Sequence, residues 1–264
     1  FSYANDIQHF PIGFIGASFA LAAFPSLSRL FAERNMDTFK EAFASTARQI
    51  LFLTAPISLL VFLLRAQIVR LVYGAGDKFT WDDTRLAAAA LGIFAFGIVF
   101  QALLPFLART FFAMQDTKTP TVISIASVVL NIFLALFLMN VLAAHNALSS
   151  FLVFALKLQG IADIRILALP LALTFSGIAQ AALLFLFLQR YVKGVMRKDL
   201  YMSVLKTGIA SVVLALVTYG VLQVYGGVFP LTTYEEVLGQ FVLASLGGSL
   251  AYIVVVFLVK SPEM

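Results

Sequence analysis

The chain has 264 residues, is 61% hydrophobic with a mean hydropathy of +0.98, and carries a formal charge of +5. Soluble domains hold roughly 45–50% apolar residues, so a water-soluble fold is set aside, and the basic excess is assigned to the ends of membrane helices rather than to nucleic acid. The absence of cysteine excludes disulfides, c-type haem attachment, thiolate metal sites and cysteine nucleophiles.

The sequence opens on Phe1, lacks the basic start, short apolar core and cleavage site of a signal peptide, and reads as part of something longer. Windows of about 20 apolar residues suffice to cross a bilayer as helix. Seven are present, at 10–30, 43–64, 86–111, 121–142, 166–190, 203–224 and 237–259. They predict an all-α, polytopic membrane bundle.

The first span is rich in small residues four apart, Gly13 with Ala17, Gly16 with Ala20 and Ser18 with Ala22, which let helices approach closely in lipid. Pro11 and Pro25 near its ends predict either a bend lining a cavity or simple interface prolines. Just ahead, Asn5, Asp6 and His9 recur at helical spacing. They are candidates for a cavity face or proton relay, with solvated surface residues as the plainer alternative.

In the second span the uncharged part, Ile50 to Leu64, would rise only about 22 Å, short of the roughly 30 Å hydrocarbon core. Arg48 then either snorkels or faces a wet interior as an anion ligand. Ile68 to Tyr73 predicts a short interfacial turn into "YGAGDKFT", with Trp81 anchoring at the headgroups.

Between the third and fourth spans lies "LARTFFAMQDTKTP", residues 107–120. Arg109 falls in the last turns of one helix, where a cation favours the dipole. Thr119 and Pro120 are expected as N-cap and first-turn proline of the next, and Asp116 and Lys118 can pair across the loop or cap its backbone. Asn131 sits mid-span and suits a cation or a neighbouring helix. Thr174, Ser176 and Gln180 add polarity to the fifth span, facing a cavity or another helix. The apolar "SSFLVFAL" inside 144–165 is too short to span and predicts an interfacial or re-entrant helix.

Lysines and arginines choose the orientation. With a cytoplasmic carboxyl end, that side carries Arg29, Arg34, Lys40, Arg48, Arg109, Lys118, Arg190, Lys193, Arg197, Lys198, Lys206 and Lys260. Only Arg65, Arg70, Lys78, Arg85, Lys157 and Arg165 face outward. Enzyme signatures are missing: there is no HExxH, GxSxG or phosphate loop, Asp82 and Asp83 lack a third aspartate, and His145 has no visible triad partner. Neither an enzyme activity nor a metal or cofactor is expected.

"RTFFAMQDTKTP" resembles the QDxxTP loop of the MurJ/MviN family of lipid II flippases. "YANDIQHFPIGFIGASFALAAFPSLSRL" resembles that family's helix from a tyrosine-alanine start through FPxG to PxLSR, "APISLLVFLLRAQIVRLVYGAGDKFTWDDT" its next helix and loop, and "KTPTVISIASVVLNIFLALFLM" the helix after the QDxxTP loop. The likeness covers Tyr3 to about Asn140, and the remainder follows by hydropathy and helix count. It implies the second lobe of a fourteen-helix transporter, with residues 1–190 as core helices and 191–264 as two added helices forming a lipid-tail groove. The implied partners are an absent amino-terminal lobe, membrane lipids and an undecaprenyl-diphosphate-linked disaccharide peptide, moved across the bacterial inner membrane by alternating access. The loop residues Arg109, Gln115, Asp116, Lys118, Thr119 and Pro120 carry the motif. One departure stands out: where the family helix usually offers the cavity an arginine, this chain has Asp6, preceded by Asn5, so no anion-binding role is transferred. Another lipid-linked oligosaccharide, a small cation exchanged by a multidrug-type antiporter, or a membrane scaffold without transport remain the alternatives.

Overall fold

The computed structural model describes residues 1–74, 80–144, 146–161, 163–194, 198–231 and 233–259, without the side chains of 198–201. Lys78, His145, Arg197, Lys260 and most of the "YGAGDKFT" loop therefore lie outside the described residues. In chain order the elements are α1 (Ser2–Pro11), a π-helical segment (Ile12–Ala17), α2 (Ser18–Ala32), α3 (Met36–Leu63), α4 (Arg65–Tyr73), α5 (Trp81–Ala113) and α6 (Lys118–Ala143). There follow α7 (Ala147–Ala155), a 3-10 turn (Arg165–Leu167), α8 (Ala168–Tyr191), α9 (Lys198–Val228) and α10 (Tyr234–Leu258). No strand occurs among the described residues, and seven helical stretches are long and apolar enough to cross a membrane.

The helices outrun the apolar windows because their caps lie in polar sequence. Asn35 accepts from the Thr38 backbone N–H to start α3, while Thr80 with Asp83 and Thr233 with Glu236 form capping boxes that start α5 and α10. The 28 residues of α3 rise about 42 Å, so the helix is long enough to cross, with Arg48 near its middle and its uncharged part as short as the sequence predicts. Ile68 to Tyr73 belongs to a helix, α4, rather than a turn. Trp81 opens α5 and is 62% exposed. The expected short helix is α7, whose Phe151 and Phe154 stay exposed, as suits a helix lying at an interface.

The organising element is α5, the most deeply buried of the seven spans. Helices α1, α2, α3, α4 and α8 pack against it, and α6 packs on α8. One core cluster gathers around Leu91, Phe94 and Ile98 with Leu142, Leu152 and Leu167. A second surrounds Phe106 and Phe111 with Phe39, Phe43, Ile50 and Leu188. Helices α9 and α10 pair with each other and reach the core mainly through α3 and α4. The Tyr252 hydroxyl donates to the Phe52 carbonyl, 2.8 Å, and Gln67 donates to Gln240, 2.8 Å. Arg70 donates to the Leu231 carbonyl, 3.2 Å.

The first span is one uninterrupted helical stretch, Ser2–Ala32, with a π-helical segment, Ile12–Ala17, directly after Pro11. Of the three small-residue pairs, only Gly16 with Ala20 meets a neighbouring helix: Ala20 is fully buried, and a Cβ at Gly16 would overlap the Ala102 carbonyl and come within 2.9 Å of its Cα. A Cβ at Gly13 would meet nothing within 4 Å. We therefore expect Gly16→Ala to lower stability by about 1–3 kcal/mol through overpacking against α5. Gly13→Ala should leave it unchanged or raise it by up to about 1 kcal/mol. Thermal unfolding in detergent reads both, and equal effects would contradict the packing.

Candidate functional site

The residues singled out from sequence fall in four separate places. On α1, Asp6 and His9 are exposed and Asn5 is half-buried. They lie on an open face with Phe10, Gly13 and Phe14, while the opposite face buries Ala4, Gln8, Pro11 and Ile15 against the core. Asn5 accepts a 2.9 Å hydrogen bond from Gln8. The Tyr3 ring lies 4.5 Å from that of Tyr73 on α4, and the Tyr73 hydroxyl donates to the Tyr3 carbonyl at 3.3 Å. Burial first, and then the charge of Asp6, push the Tyr73 phenol above its ordinary range. The carboxylate thus looks onto a tyrosine pair at the open edge of the bundle, and among the described residues it has no ion-pair partner.

Arg48, half-buried near the middle of α3, follows Ala47 of the second core cluster, whereas Asp6 lies two residues from Ala4 of the first, so the two do not form a common site. Asn131 and Thr174 belong to a third place, a polar seam inside the membrane-crossing helices. Asn131 donates to the Ser176 hydroxyl at 3.2 Å, Ser127 to the Ser176 carbonyl at 3.1 Å, and Gln180 to Ser124 at 3.1 Å, all bridging α6 and α8. Thr174 donates to the Ile93 carbonyl of α5 at 3.4 Å. With their hydrogen bonds made between helices, these groups tie α5, α8 and α6 together.

Sequence reading missed two buried amides. Gln8 is 1% exposed and, among the described residues, its Oε1 has no hydrogen-bond partner, nor has Nε2 of Gln101, pressed against Gly97 and Gly177. A single glutamine inside the apolar run "GIVFQALL" is the signal that marks Gln101.

The fourth place is the loop from Arg109 to Pro120, and here the geometry corrects the sequence expectation. Arg109 is half-buried one turn before the end of α5. Helix α5 ends with Gln115 in the left-handed region, φ 62, with backbone N–H groups of Gln115 and Asp116 returning to the carbonyls of Phe112 and Phe111. Asp116, not Thr119, caps α6: its Oδ1 accepts the backbone N–H of Lys118 and of Thr119, each at 3.0 Å. Helix α6 already starts at Lys118, behind Thr117, whose own side chain caps nothing, so Pro120 lies two residues beyond the first helical position and is buried. A carboxylate reaches two forward N–H groups from outside the helix, and Thr119 is already inside it.

The same device joins α2 to α3. Arg34 takes φ 57, the N–H groups of Arg34 and Asn35 return to Phe31 and Leu30, and Asn35 caps α3. The pair Gln115-Asp116 is therefore a helix stop followed by a helix start. Hydrogen bonds from Thr119, then from Lys118, hold the Asp116 carboxyl below its ordinary range. The stabilisation is complete above the unfolded value of about 3.9 and fades as pH falls through the lower folded value. Asp116→Ala should cost about 1 kcal/mol at neutral pH and converge with the parent in strong acid, as read by thermal unfolding across pH. Gln115→Gly should stabilise by up to about 1 kcal/mol, because glycine adopts the left-handed conformation without strain.

A groove completes the candidate surfaces. Between α9 and α10 an apolar cavity of about 430 Å³ is walled by Val217, Gly220, Val221, Val224, Tyr225, Val228, Phe229 and Leu243. No cluster of three or more metal-ligating side chains occurs among the described residues.

Residues 1–238 match the family model described as lipid II flippase MurJ. A protein of Rickettsia prowazekii named probable lipid II flippase MurJ is 31% identical over 139 residues, covering 53% of this chain and 27% of that protein. One of the same name from Vibrio cholerae is 29% identical over 164 residues, 60% of this chain and 31% of that one. The chain thus aligns with less than a third of the length of these curated relatives. A solved structure titled lipid II flippase MurJ, inward closed conformation, superposes with a TM-score of 0.70 at 21% identity, over 98% of this chain and 47% of that one; it shares the fold. With the family model matched across nine-tenths of its length, from α1 into the first turn of α10, this chain belongs to the lipid II flippase MurJ family.

Proposed function

We propose that the chain is the carboxyl-terminal half of a transporter that carries a lipid-linked peptidoglycan precursor across the bacterial inner membrane by alternating access, and that it is not an enzyme. The observation that carries this is the family match over residues 1–238, which takes in the whole five-span core and its QDxxTP loop. The other half would be an amino-terminal lobe docked on the open face of α1, where Asp6, His9 and Gly13 lie exposed. Support for a second half comes from the length of the solved relative, about twice that of this chain.

In this reading residues 191–264 form an added unit whose α9–α10 groove takes the hydrocarbon tail. Its wholly apolar wall and membrane depth suit a chain that never leaves the bilayer, while the charged headgroup crosses along the open face of the core. The charge distribution supports a cytoplasmic carboxyl end. Among the described residues Arg29, Arg34, Lys40, Arg109, Lys118, Arg190 and Lys193 lie in or near the α2–α3, α5–α6 and α8–α9 connections, against Arg65, Arg70, Arg85, Lys157 and Arg165 at the other end. Transport needs no covalent step, only two conformations whose balance the cargo shifts.

A second reading keeps the fold and changes the headgroup. Asp6 is exposed without an ion-pair partner among the described residues, and an acid there repels a diphosphate. A cargo with a less anionic headgroup, or a cation, would tolerate it better.

Complementation of a flippase-depleted bacterium by the full-length protein separates the two. On the first reading the parent restores growth, Asp6→Arg preserves or improves it, and Val221→Trp, which fills the groove, reduces it at equal expression. Failure of the parent to restore growth at normal expression counts for the second reading, whereas a parent that restores growth and loses it on Asp6→Arg keeps the lipid-linked cargo and counts against an anion-binding role at that position.

A further inference from the structure

A cavity of about 250 Å³ lies between the last turn of α4 and the first turns of α5 and α10. Arg70 and Gly74 wall it from α4, Trp81 and Thr84 from α5, and Tyr234 and Val237 from α10. Unlike the α9–α10 groove, its lining is as much polar as apolar. Helix α4 is not among the membrane-crossing stretches, whereas Trp81 and Tyr234 are the first residues of two that are. Exposed aromatic rings at the ends of crossing helices mark the headgroup layer.

Hydrogen-bond donors dominate the wall. The Arg70 guanidinium gives one N–H to the Leu231 carbonyl, 3.2 Å, and stands 5.5 Å from the Trp81 ring centroid. A guanidinium carries five donors in all, and among the described residues Arg70 has no ion-pair partner. The indole N–H of Trp81 and the hydroxyl of Tyr234 add two more donors on exposed side chains. No carboxylate is among the wall residues. Of the acids in the adjoining turns, Asp83 and Glu236 close the capping boxes of α5 and α10, Asp82 lies 3.7 Å from Arg85, and Glu235 is exposed to solvent. Both α5 and α10 begin here, which adds the positive ends of two helix dipoles, while at the closing end of α4 the Arg70 carbonyl is already taken by the Gly74 N–H, 2.9 Å.

Donors around a polar cavity that lacks an acid select an anion, and at headgroup depth the anion at hand is a lipid phosphate. Size narrows the choice. A dry cavity of roughly 150 Å³ holds a six-carbon ring, so about 250 Å³ takes about ten heavy atoms, the size of a phosphoglycerol head and far less than a disaccharide diphosphate. We propose that Arg70, Trp81 and Tyr234 bind the phosphate of one phospholipid headgroup from the leaflet at this end. The bound lipid fastens α10 to α4 beside the Gln67–Gln240 and Arg70–Leu231 contacts. The inference rests on membrane embedding and not on the transport reading.

Native mass spectrometry and thermal unfolding of the full-length protein in detergent test it, with phosphatidylglycerol, diacylglycerol of the same chains and undecaprenyl diphosphate as probes. The parent should retain one phosphatidylglycerol and gain unfolding temperature from it, with no gain from diacylglycerol. Arg70→Gln, which keeps an N–H for the Leu231 carbonyl, should weaken phosphatidylglycerol binding about tenfold or more, and Arg70→Lys should weaken it less. Lys193→Gln, which removes an exposed cation at the α8–α9 connection, should leave it unchanged. If Arg70→Gln does not fold, Trp81→Phe combined with Tyr234→Phe, which keeps both exposed rings and removes two donors, should reduce binding in the same comparison. A parent indifferent to phosphatidylglycerol overturns the proposal, as does undiminished binding by the folded cavity variants, an equal loss in Lys193→Gln, or an Arg70-dependent preference for undecaprenyl diphosphate. Because no transport is measured, either result leaves the flippase reading where it stood.

Discussion

In hydrocarbon a backbone N–H or carbonyl has no water to turn to, and each group left without a partner costs several kcal/mol. That constraint governs the molecule. It makes every described crossing a helix, and it forces the polar ends of those helices to be closed by side chains or by returning backbone bonds. It also means that a mid-membrane polar side chain must find a partner on another helix, because lipid offers none. The Asn131–Ser176, Gln180–Ser124 and Thr174–Ile93 contacts meet that requirement and fix α6, α8 and α5 in register.

The same constraint explains the shape of the connections. Gln115-Asp116 and Arg34-Asn35 each complete one helix and start the next within two residues. That leaves little backbone to satisfy at the bilayer edge and sets neighbouring helices antiparallel. Corners this short leave consecutive helices little freedom to move apart. The π-helical turn after Pro11 is the exception, and it lies on the span whose open face carries Asp6 and His9.

The seven crossings were legible because hydropathy is set by the residues themselves. Their ends were not: Asn35, Thr80 and Thr233 are polar caps that an apolar window discards. The loop was legible as structural, yet the cap was assigned to Thr119. Asp116 was open in sequence as a backbone cap or a partner of Lys118, and only the turn at Gln115 decides for the cap by placing its carboxylate ahead of the Lys118 and Thr119 N–H groups. Gln8, Gln101 and the Gln67–Gln240 bridge stayed hidden because their burial is decided by helices far away in the chain. The candidate site was legible only in pieces. Residues that look equally functional in sequence, such as Asp6 and Asn131, prove to stand in different surroundings, one on an open face and one between two helices.

The account stands on seven alternating crossings around α5. Single cysteines at Glu33, Lys118 and Lys193, and at Gln159 and Phe229, introduced into the full-length protein without other cysteines, test it in intact cells with a membrane-impermeant maleimide. The account predicts that the first three react only after the membrane is permeabilised and the other two react directly. Two members of one set labelling from opposite sides of the membrane would contradict it.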